Sequence, residues 1–90
     1  MANFAKLNNT NIVIQVIVVA NYDVDNLPFP ESEPVGQAFI ASLGIEGEWL
    51  QTSYNANFRN CYAGIGYTYD ATLGEYGEFV PPPTKPLPIE

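Results

Sequence analysis

FAKLNNTNIVIQVIVV, residues 4–19, is the stretch from which the fold is read. Phe4–Leu7 is apolar apart from Lys6. The polar tetrad Asn8-Asn9-Thr10-Asn11 follows, and Ile12–Val19 is β-branched at every position but Gln15. β-Branched side chains are stiff at χ1 and favour strand over helix. Asparagine tolerates the left-handed backbone that tight turns demand. The stretch therefore predicts a β-hairpin. A strand apolar on both faces is expected at the centre of a sheet, covered on both sides. In so short a chain, one cover is expected from a helix and the other from a partner chain.

Moving outward, Asn21–Pro30 reads as a loop, because Pro28 and Pro30 deny it regular pairing. Asp23 and Asp25 lack the further carboxylates and in-register glycine of a calcium loop. A helix is expected over Glu33–Leu43, with Ser32 as N-cap, Glu33 and Pro34 in the first turn and Gly44 as the stop. Its inward stripe is expected to be Val35, Ala38, Phe39 and Leu43, with Gly36 weakening the helix slightly. Glu48–Tyr54 reads as a strand, Trp49, Gln51 and Ser53 facing one way and Leu50, Thr52 and Tyr54 the other. After a turn at Asn55–Asn57, Phe58–Tyr62 leads into Ala63–Tyr69, where Gly64, Gly66 and Thr68 alternate with Ile65, Tyr67 and Tyr69. A bare glycine face marks the close approach of a ring or another backbone. Asp70–Gly74 then turns the chain into Glu75–Val80, closing a second hairpin.

The expected fold class is mostly β (α+β): a small antiparallel sheet of two hairpins plus a strand, with one short helix. This makes one β-rich domain over residues 1–80 and a proline-rich extended arm over residues 81–90. Pro81, Pro82, Pro83, Pro86 and Pro88 favour polyproline geometry at ~3.1 Å per residue, so the arm can reach about 30 Å.

Bulk composition excludes several function classes. Ninety residues make one modest core, while 47% hydrophobic and 13% aromatic content argues for a folded chain. The net charge of -7 leaves only Lys6, Arg59 and Lys85 as cations, too few to grip a phosphate backbone, so neither nucleic acid nor an anionic membrane is an expected partner. With no histidine and one cysteine, Cys61, no thiolate–imidazole metal site, intramolecular disulfide or imidazole-activated nucleophile is possible within one chain. No catalytic residue, cofactor or metal is expected, and no enzymatic activity. The first residues show no secretory pattern, and the longest apolar run falls short of the ~20 residues that span a membrane, so folding in a cytoplasm is expected.

What remains is binding to other proteins. Tyrosine supplies large contact area with few torsions to freeze, and a lone arginine beside aromatics is either a structural ion pair or an interface anchor. The candidate protein-binding residues are Tyr54, Arg59, Tyr67 and Tyr69 in the aromatic stretch. In the arm they are Pro81, Pro82, Pro83, Lys85, Leu87 and Ile89.

Two segments also carry a resemblance. Phe4–Leu7 with Asn11–Val13 and Gln15–Val19 is one. The other runs from Trp49 through Gln51–Asn55 and Asn57–Arg59 to Tyr62–Asp70, the pattern W-x-QTSYN-x-NFR-x-x-YAGIGYTYD, with Phe79–Pro82 as a shortened F-[IV]-PP ending. Together they resemble a family of small virion-associated structural proteins from tailed phages of marine bacteria, those of cyanobacteria among them. The resemblance implies a non-enzymatic virion component made in the host cytoplasm. The expected role is a capsid decoration (cement) protein. Its expected partners are the major capsid protein or other virion structural proteins, with self-association in the virion. The alternative role is a tail or tail-fibre adaptor or attachment module.

Overall fold

The turn of the first hairpin is built by one side chain. Asn8 Oδ1 accepts hydrogen bonds from Thr10 N at 2.8 Å, Thr10 Oγ1 at 2.8 Å and Ile12 N at 3.0 Å, and Asn11 takes a φ of 64°. Strand β1 (Ala2–Leu7) and strand β2 (Val13–Val19) pair antiparallel on either side of it. The computed structural model describes residues 1–82. A 3-10 turn at Asn21–Val24 and helix α1 (Ser32–Ser42) follow, then strands β3 (Glu48–Thr52), β4 (Thr68–Asp70) and β5 (Glu78–Val80). The result is mostly β, with a three-stranded antiparallel sheet, a two-stranded one and a single short α-helix among the described residues.

The central strand is not the one expected. The sheet order is β2-β1-β3, so β1 is central and the β-branched strand β2 lies at the edge, with Ile14 46% and Val18 56% exposed. The run of Val and Ile made β2 a strand, but strand propensity does not fix position in a sheet. Both faces of β1 are covered by this same chain. On one face Ala2 and Phe4 join Val19, Val24, Ile40 and Trp49 beneath α1 and the 3-10 turn. On the other, Ala5, Leu7 and Val13 meet Ala63 and Phe79 from the C-terminal third.

Helix α1 shows a rotated inner face. Ser32, Gly36 and Ile40 are buried at i, i+4 and i+8, while Ala38 and Leu43 of the expected stripe are exposed. Ser32 is the first helical residue and not the cap; its Oγ donates to Gln51 Oε1 at 2.6 Å. That bond, a second from Gln37 Nε2 to Trp49 O at 2.6 Å, and Gly36 lying against the fully buried Phe4 ring hold this face inward. A Cβ at Gly36 would overlap that ring. Gly36→Ala is therefore expected to destabilise by about 1–3 kcal/mol through overpacking, although helix propensity alone would favour it by ~1 kcal/mol. Urea denaturation decides the sign, and a raised midpoint would show that Phe4 is free to yield.

The second hairpin is shorter than expected. Ala63–Tyr69 is not one strand: Gly66 has a φ of 93°, and Tyr67 N bonds back to Gly64 O at 3.0 Å. Only Thr68–Asp70 pairs with Glu78–Val80. The backbone freed by this break docks on the start of β2 instead, with Val13 N donating to Tyr67 O at 2.8 Å and Gly66 N to Val13 O at 2.9 Å. Gly64 does mark a close approach, since a Cβ there would sit 2.9 Å from the Tyr67 ring.

Candidate functional site

Arg59 joins most of the elements. Its guanidinium forms a two-pronged ion pair with Glu33 of α1, Nη1 to Oε2 and Nη2 to Oε1. Nη1 also donates to Gln51 O of β3 at 2.9 Å, and Nε donates to Tyr76 O at 2.9 Å. The cation lies 5.1 Å from the Phe29 ring centre and 5.5 Å from that of Tyr69. Glu33 Oε2 accepts a further bond from Gln51 N at 2.8 Å. Arg59 is 8% exposed, so it is turned inward and is not a surface anchor. Its φ of 57° and the 74° of Asn60 are uncommon for non-glycine residues, and such backbone persists where surrounding contacts over-determine it.

The other tyrosines divide. Tyr67 and Tyr69 are half-buried and pack on the second core; Tyr69 Oη donates to Tyr76 O at 2.7 Å and its ring lies tilted on Phe79. Both pack within the chain and keep part of their surface exposed. Tyr54 is 74% exposed, edge-on to Tyr62, and is the most open of the three tyrosine candidates. Pro81 and Pro82 are exposed. Pro83, Lys85, Leu87 and Ile89 lie outside the described residues.

Two surface features stand out. The first is the edge of β2 from Ile14 to Val19, which no strand pairs among the described residues and which carries no charged side chain. The Gly66–Tyr69 segment covers only the Asn11–Val13 end of that strand. The second is a cleft of about 250 Å³ where β1 begins and β3 ends, roofed by Phe29 stacked on Phe58 at 3.8 Å. Neither was foreseen as a site. The edge exists because β2 lies outside β1 in the sheet, and the cleft joins residues up to 57 apart in sequence.

The Cys61 thiol donates to Phe79 O at 3.1 Å, and burial, with the Glu78 charge, pushes its pKa up, so at neutral pH it stays a thiol. Among the described residues no three Cys, Asp or Glu side chains gather to hold a metal ion, and no helix is long and apolar enough to cross a membrane. Comparison with known proteins found no matching family model, curated protein or solved structure.

Proposed function

We propose that this chain is a non-enzymatic structural protein of a phage virion: a capsid decoration (cement) protein that binds across major capsid protein subunits. The free edge of β2 carries the protein-binding half of that reading. Edge strands are commonly guarded by lysine, proline or charge, because their unpaired N–H and C=O groups template pairing with another chain. Ile14–Val19 has none of these guards, in a chain of net charge -7. A partner strand added there gains main-chain hydrogen bonds, with Ile14 and Val18 offering apolar contact. The virion half rests on the resemblance of the Trp49–Asp70 stretch. A tail or tail-fibre role is the second reading, favoured by the exposed Tyr54 ring braced edge-on by the half-buried Tyr62.

Re-adding the protein to particles stripped of it tests this. Val18→Lys puts a charge at an exposed edge position, where folding stability should change by no more than about 0.5 kcal/mol. Occupancy should fall at least about ten-fold, the equivalent of roughly 1.4 kcal/mol. Leu43→Lys, at a residue 56% exposed just past α1 in the connection to β3, on the side of the sheet away from the β2 edge, should rebind normally. Normal rebinding of Val18→Lys would remove the edge as the docking element, and failure of the unmodified protein to rebind would count against the virion reading itself.

A further inference from the structure

We infer that the cleft at the end of the sheet is a binding site for a neutral carbohydrate ring. The inference rests on the cleft alone and stands apart from the virion reading. None of the fifteen lining residues carries a charged side chain, although the chain has ten acids and three bases. In their place are five carboxamides: Asn3, Asn21, Gln51, Asn55 and Asn57. A carboxamide sets two donors beside an acceptor, the pattern that neighbouring sugar hydroxyls complement, and it does so without selecting for charge.

Asn3 adds the observation that points to an occupant. The residue is only 7% exposed, yet its carboxamide has no hydrogen-bond partner among the described residues. Asn3 is one of the residues that line the cleft. Buried polar groups in native structures are paired with protein, ordered water or ligand. Deeper in the cleft the polar groups are already committed. Gln51 Oε1 accepts from Ser32, and Thr52 Oγ1 accepts from Ala63 N at 2.9 Å, which fixes the floor. Ser53 Oγ accepts from Asn57 N at 3.0 Å, which holds the turn that carries Tyr54 and Asn55.

The aromatic element is also in place. Tyr54 offers a ring 74% exposed at the rim, braced edge-on by Tyr62 with ring centres 5.6 Å apart. The electron-rich ring face suits the weakly positive C–H face of a pyranose. The size agrees with a single ring: about 250 Å³ lies below the ~300–1,000 Å³ of sites that engulf larger ligands. No side chain of this lining is a cation, and the one charge beside it, the Met1 α-ammonium, belongs to a residue 79% exposed to solvent, which is why the inference names a neutral sugar.

The experiment follows the side-chain amide signals of the isotopically labelled full chain during titration with glucose, galactose and N-acetylglucosamine. N-acetylneuraminate and acetyl-triglycine amide serve as the charged-sugar and peptide arms. Saturable shifts of the Asn3, Asn55 and Asn57 amides are expected with at least one neutral sugar, at a dissociation constant of about 1–10 mM. Tyr54→Ala, at an exposed residue, should leave the fold intact and weaken that binding at least about ten-fold. Asn57→Ala, also exposed, should weaken it as well. The inference is overturned if no neutral sugar gives saturable shifts, if the peptide or the charged sugar binds more tightly, or if Tyr54→Ala and Asn57→Ala both bind as the native chain does.

Discussion

Arg59→Ala is expected to remove about 3–5 kcal/mol of stability, the cost of breaking a buried ion pair from one side. The side chains of Arg59 and Glu33 are 5% and 16% exposed, so solvent does little to replace the lost partner. The Gln51 and Tyr76 carbonyls lose their donor at the same stroke. A domain of this size holds perhaps ~5–10 kcal/mol in total, so the variant should be near the edge of folding. Pairing Arg59→Met with Glu33→Gln should recover part of the loss, because no charge is then left buried alone. Urea titration of the three proteins measures this. An Arg59→Ala midpoint within error of the native value would mean that the pair does not hold α1, β3 and the Arg59–Cys61 segment together.

Trp49 carries the second large effect. It is 4% exposed in the first core with Phe4 and Ile40, and Trp49→Ala should cost about 3–5 kcal/mol and unfold most of the protein. Its Nε1 is buried with no acceptor among the described residues, a feature for which there is no physical account. That orphan gives the test a second arm. Trp49→Phe keeps most of the ring and removes the unpaired donor, so it should cost much less than the alanine variant. Thermal melts and circular dichroism of both variants separate the outcomes. A folded Trp49→Ala protein that had lost only particle binding would make Trp49 an interface anchor.

The fold was legible where local chemistry decides it. Asn8–Asn11 announces its turn, and β3 alternates as read, Trp49 and Gln51 facing α1, and Leu50 and Thr52 facing the second hairpin. The rest depends on partners distant in sequence. Gly36 has no side chain to count in an apolar stripe, yet the Phe4 ring makes it the middle of the helix's inner face. Glu33 reads as an ordinary first-turn acid, and nothing local ties it to an arginine 26 residues later. The packing of Tyr67 and Tyr69 depends on a core closed by Phe79, which their local alternation does not show. The candidate sites were less legible than the fold. An open edge is defined by which strand does not arrive, and the cleft by loops that converge only once the sheet has formed.

The central claim, that this is a repeated structural protein of a phage particle, is met most directly by counting it. Quantitative mass spectrometry of purified particles gives its abundance relative to the major capsid protein. A decoration role predicts on the order of hundreds of copies per particle, as repetition over a symmetric shell requires. A count of about a dozen or fewer, set by the axial symmetry of a tail, would transfer the protein to the tail or its fibres. Its absence from particles, with abundant protein in infected cells, would contradict the account.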